Sequence, residues 1–162
     1  MMSSLKITLR ANDGLSHGGE ILIFQNRSSV ACQIFGFALV RVPLGSSPLS
    51  NQNGAAKRSA PGSSVTAIDL MNSYAGGISG SVPDQRLTLP VVSLPAYSGS
   101  ASATIVWIEE GAGKACPWFR SIDLRWKVSG VRLQLSYPHL LCSGIDVTPI
   151  VPGSSGQLVE SG

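Results

Sequence analysis

Charge is scarce in this sequence: Asp, Glu, Lys and Arg make up 13% of its 162 residues, against about a quarter in ordinary soluble domains. The excess of base over acid is only +3, too small to identify an acidic partner. Long apolar runs are missing too. The longest candidate, Cys32 to Val42, is broken by Gln33, Gly36 and Arg41 and falls short of the roughly 20 residues a membrane helix needs. No transmembrane segment is expected.

Metal-binding chemistry has little to build on. The three cysteines, at 32, 116 and 142, lack C-x-x-C spacing, and His17 and His139 stand alone, so neither a metal nor a cofactor is expected. Both histidines read as loop or surface residues. No G-x-S-x-G elbow, P-loop or dinucleotide fingerprint occurs. Glu109 and Glu110 are adjacent at a strand end, where side chains point to opposite faces, so they cannot act as a spaced carboxylate pair. The catalytic expectation is therefore none. The alternative kept open is a hydrolase with a serine brought beside His17 or His139 by the fold.

What is present is turn chemistry and short alternating runs. Eighteen glycines, ten prolines and many serines gather between apolar segments, as in all-β proteins. Leu5, Ile7 and Leu9 alternate with polar residues. Ile21-Leu22-Ile23-Phe24 is apolar on both faces and reads as a central strand. Gly36 marks a bulge, a bend or a break into two strands. Residues 43–64 read as one long surface loop containing Lys57-Arg58. Val65 to Met71 is either a strand or a helical turn, and Pro90 suits an edge or a break. Ala101, Ala103, Ile105 and Trp107 share a face, and residues 145–151 close the set.

The sharpest pattern lies late in the chain. Ile122, Leu124, Trp126 and Val128 alternate with charged residues, and after Ser129-Gly130 Val131, Leu133, Leu135 and Tyr137 alternate with Arg132, Gln134 and Ser136. Two such runs predict a hairpin. Trp107, Trp126 and Tyr137 are then expected inside, and Arg125, Lys127 and Arg132 outside as a small solvated patch. That patch lacks aromatics for base stacking, so no nucleic-acid partner is expected. Eight or nine strands with one-sided apolar faces predict a two-layer antiparallel β-sandwich over residues 1–152, followed by a flexible polar tail, 153–162. Cys116 and Cys142 flank the hairpin and could form a disulfide; three buried thiols are the other reading. Trp118, in a loop beside them, is the aromatic with most freedom to touch a ligand.

Several stretches resemble the DUF4232 family, domains of unknown function in secreted proteins and lipoproteins of mycobacteria and other actinobacteria. These are Ser16-His17-Gly18-Gly19, the strand Ile21 to Asn26, Ala31-Cys32-Gln33-Ile34-Phe35-Gly36-Phe37, Leu94-Pro95 with Ala101 to Trp107, and Cys142 ahead of Val147-Thr148-Pro149-Ile150. The resemblance spans residues 5–152. It implies an immunoglobulin-like sandwich outside the cytoplasm, with two disulfides and no agreed activity. Family members carry a further cysteine before the first strand, the natural partner of Cys32, where Met1-Met2-Ser3-Ser4 stands here. No signal peptide precedes the domain, so a truncated start is expected, with a cytoplasmic home as the alternative. Together these readings favour a non-enzymatic envelope module, binding or structural, whose partner is a protein, a glycan or a lipid surface.

Overall fold

The computed structural model describes residues 5–11, 18–49, 56–69, 91–109, 114–126 and 129–156. In chain order the strands are β1 (Leu5–Ala11), β2 (Gly18–Asn26), β3 (Cys32–Phe35), β4 (Leu39–Pro43), β5 (Ala56–Lys57), β6 (Ser64–Thr66), β7 (Ile68–Asp69), β8 (Val91–Leu94), β9 (Ser100–Trp107), β10 (Cys116–Trp126), β11 (Ser129–Leu140), β12 (Ile145–Val147) and β13 (Val151–Pro152). The fold is all-β.

The expected immunoglobulin-like sandwich of eight or nine strands is not what forms. Among the described residues thirteen strands make three separate sheets: six strands in the order β1-β2-β9-β12-β7 with β13 also on β9, five in the order β11-β10-β4-β6 with β5 also on β10, and the pair β3-β8. Alternation shows which face of a strand is apolar but not which strand lies beside it. Gly36 supplies the break. At φ +83 it ends β3 in a conformation that favours glycine, and β4 then joins the five-stranded sheet while β3 pairs with β8. The very short β5, β6, β7 and β13 add further edges, two of them through the parallel pairs β5–β10 and β7–β12.

One core serves all three sheets. Leu22 and Phe24 of β2, Ile34 of β3, Val40 and Val42 of β4, Leu94 of β8, Ala103, Ile105 and Trp107 of β9, and Ile122 and Leu124 of β10 all bury within it. As its two-sided apolar character requires, β2 lies between β1 and β9. The central β9 is buried on both faces, Ser102 and Thr104 included. Their polar groups are met from far along the chain. Thr148 Oγ1 accepts the Thr104 N–H at 2.9 Å, and Ser102 Oγ accepts the Gly156 N–H at 2.9 Å. Residues 153–156 are therefore held against the sheet, with Arg10 donating to the Ser154 carbonyl at 2.8 Å.

The hairpin forms as β10 and β11, antiparallel, with Trp126 opposite Ser129 and Gly130 already paired to Arg125. Its register breaks between Phe119 and Ser121, where Arg120 alone stands opposite Leu135, Ser136, Tyr137 and Pro138. Such a bulge changes which face the following residues occupy. Above it, Ile122 and Leu124 turn to the core; below it, Phe119 does. Tyr137, expected inside, is consequently 64% exposed, and His139, expected at the surface, is buried.

Candidate functional site

Two groupings of chemically capable side chains stand at the bulge. The first surrounds His139. Its Nδ1 hydrogen-bonds Glu109 Oε1, and the same oxygen accepts the indole N–H of Trp107 at 3.1 Å. Rings enclose the imidazole: Tyr137 at 4.3 Å, Trp107 at 5.0 Å and Phe119 at 5.9 Å between centroids. Glu109 leaves the end of β9 half-exposed, with its carboxylate turned onto β11. A carboxylate on Nδ1 fixes the imidazole's orientation and directs Nε2 away from itself, which is the orienting half of an acid–base site. Among the described residues no serine hydroxyl is hydrogen-bonded to His139. His17, Glu110 and Lys127, and the side chain of Trp126, lie outside the described residues.

Beneath this cluster the chain is covalently closed. Cys116, which opens β10, is joined to Cys142, just beyond β11, with Cα atoms 4.9 Å apart. The Cys142 N–H donates to the Ile108 carbonyl at 2.8 Å and the Leu141 N–H to Pro117 at 2.8 Å, so the bond sits in a stem already tied by backbone. Cys32 is a half-buried free thiol packed against the core.

The second grouping surrounds Trp118. Sequence reading puts this residue in a loop with freedom to touch a ligand, but the parallel partner β5 holds Cys116 and Pro117 in a strand, and Trp118 is only 7% exposed. Its indole N–H donates to the Ser47 carbonyl at 3.1 Å, and its own carbonyl accepts the Gly45 N–H at 2.7 Å. Gly45 lies so close that a side chain there would overlap the ring. The Arg120 guanidinium sits 5.5 Å from the ring centroid. Residues 43–47 and 118–121 enclose an open pocket of about 220 Å³. The stretch read as one loop, 43–64, is thus pinned in its described parts, with Leu44 bonded to Ser63 and Ser59 to Gly45.

Beside the pocket, Asp123 receives Arg132 through two bonds, at 2.6 and 2.9 Å, and faces Arg41 at 3.6 Å. The Arg132 hydrogen bond is the main cause that holds the Asp123 carboxyl below its ordinary range, against a desolvation effect that pushes it up. Neither this triplet nor the Glu109–His139 pair was read from the sequence. Asp123 and Arg132 lie within the expected hairpin, but Arg41 and Glu109 come from β4 and the end of β9, whose placement beside the hairpin a period-2 pattern does not encode. Compared with protein-family models, curated proteins and solved structures, the chain matches none.

Proposed function

We propose that this chain is a disulfide-bonded extracytoplasmic module whose role is to bind or support a partner rather than to catalyse a reaction. The observation that carries this reading is the Cys116–Cys142 bond at the stem of the β10–β11 hairpin. Structural disulfides persist in oxidising compartments and are rare in the cytosol. The resemblance to DUF4232 domains supports the same location. Favouring binding, the polar groups of the two groupings are already engaged: Glu109 with His139 and Trp107, and Asp123 with Arg132 and Arg41. The test is peptide mapping, without reduction and after thiol blocking, of the protein recovered from its native cells. A linked Cys116–Cys142 peptide is expected; recovery of both cysteines as blocked thiols would overturn the reading.

A catalytic alternative draws on one observation, the carboxylate on Nδ1 of His139. If a serine is activated there, a serine-directed fluorophosphonate will leave a covalent adduct on the folded protein and lose it in His139→Ala. We expect no adduct.

A further inference from the structure

The strands divide their charge unevenly. The six-stranded sheet carries Lys6 and Arg10 against Glu20, Asp69 and Asp146, whereas the five-stranded sheet carries Arg41, Lys57, Arg120, Arg125 and Arg132 against Asp123 alone. The whole chain is only +3, so this one sheet holds more net positive charge than the molecule. The bases lie far apart in sequence and look dispersed there; pairing gathers them.

Most of them share a face. Val40, Ile122 and Leu124 fill the core, so the alternating Leu39, Arg41, Asp123 and Arg125 lie on the opposite side. One rung aligns Arg41 with Asp123 and Asp123 with Arg132; the next aligns Leu39 with Arg125, about 7 Å along the strand. Asp123 neutralises a single charge on that rung. The Nε of Arg41 is buried and has no hydrogen-bond partner among the described residues. Arg120, alone opposite the bulge, extends the row over Trp118 and lines the pocket together with Ser46, Ser47 and Ser121. Among the described residues neither Arg120 nor Arg125 forms an ion pair.

We propose that this outward face binds an acidic glycan, its sulfate or carboxylate groups meeting Arg41, Arg120 and Arg125. The proposal rests on the binding-module reading and names the partner. Guanidinium forks match oxyanions geometrically. The hydroxyl and amide groups interleaved with them, on Ser121, Gln134, Thr66 and the pocket serines, suit the hydroxyls of sugar rings. A nucleic acid suits the face less well. Strand binding of that kind uses open aromatic faces for base stacking, whereas Trp118, the aromatic beside the arginine row, is buried between Gly45 and Arg120.

The test is calorimetric titration of the oxidised protein at about 0.15 M salt with heparin, with polygalacturonate and with duplex DNA. Binding to heparin or polygalacturonate is expected, the preferred polymer identifying sulfate or carboxylate as the group recognised. Arg120→Gln/Arg125→Gln should weaken it about tenfold or more, through lost oxyanion contacts. Lys6→Gln, on β1 of the other sheet, should leave it unchanged. Both arginines are exposed, and a thermal midpoint close to the parent's will show that the double variant is folded; Arg125→Glu alone should act in the same direction. No glycan binding, equal weakening by Lys6→Gln, or DNA binding as tight as glycan binding would each overturn the proposal. Peptide mapping reads the disulfide independently, so failure here is distinguishable from failure of the export reading.

Discussion

His139 and Glu109, thirty residues apart in the chain, meet across the ends of β11 and β9, and Glu109 takes the Trp107 indole N–H on the same oxygen. Removing the ring and removing the acceptor should therefore have different costs. His139→Ala empties a site packed by three aromatic rings and should cost about 3 kcal/mol. Glu109→Ala strands two donors near water and should cost about 1–2 kcal/mol, with Glu109→Gln milder still because an acceptor oxygen remains. Urea unfolding of the three variants tests this ranking; a Glu109→Ala cost exceeding that of His139→Ala would show that the carboxylate, not the ring packing, dominates.

Cys116 and Cys142 are 26 residues apart. Closing a loop of that length restricts the unfolded chain by about 3.5 kcal/mol in the chain-entropy estimate. Cys116→Ser/Cys142→Ser should lower stability by about that amount with the strand content retained, as read by denaturant unfolding and far-ultraviolet circular dichroism. Thiol titration of the unfolded, unreduced parent should count one group, Cys32, rising to three after reduction.

Gly45 marks the tightest backbone approach to Trp118. Gly45→Ala introduces a methyl where the indole lies, and overpacking of this kind costs about 1–3 kcal/mol. The equivalent change at Gly144, where a side chain meets nothing within 4 Å, should cost less. Thermal melts of the pair check the comparison, and equal midpoints would remove Trp118 packing as the cause.

Asp123 gives the acid response a definite sign. Its folded carboxyl is held below the ordinary value of 3.8, chiefly by the Arg132 hydrogen bond. A lowered carboxylate contributes stability that is complete above the unfolded value and disappears as pH falls through the folded one. Asp69 and Asp146 oppose it, since burial raises both above 3.8, and their ionisation disfavours the fold as pH rises. Asp123→Asn should lower the melting temperature near neutrality and flatten its decline below pH 3.8. A parallel decline in parent and variant would remove Asp123 from the acid response.

Much of the strand content was legible because period 2 is a local signal. Leu5, Ile7 and Leu9, the apolar run at Ile21, and the two arms of the hairpin all lie in strands. Gly36 marked an interruption of its run, though not which of a bulge, a bend or a break it would be. Sheet membership was not legible, because nothing within Cys32–Phe35 names Val91–Leu94 as its partner. The bulge was equally invisible. Tyr137 continues the alternation of Val131, Leu133 and Leu135 in sequence, yet the register break moves Tyr137 out and His139 in. Arg125 and Arg132 were legible on the outer face of the hairpin, but their alignment with Arg41 was not, because Arg41 and Arg132 meet Asp123 only through two different cross-strand pairings.

The anchoring of Ser102 and Thr104 by Thr148 and Gly156 bears on how the chain is made. The strand that carries them sits mid-sheet and is buried on both sides, yet its hydroxyl and amide groups find partners 44 and 54 residues downstream. During synthesis those groups lack these partners until Thr148 and Gly156 have emerged. The native sheet is therefore completed only after translation has passed Gly156, and a ribosome-bound chain stalled short of that point would hold an unfinished central strand.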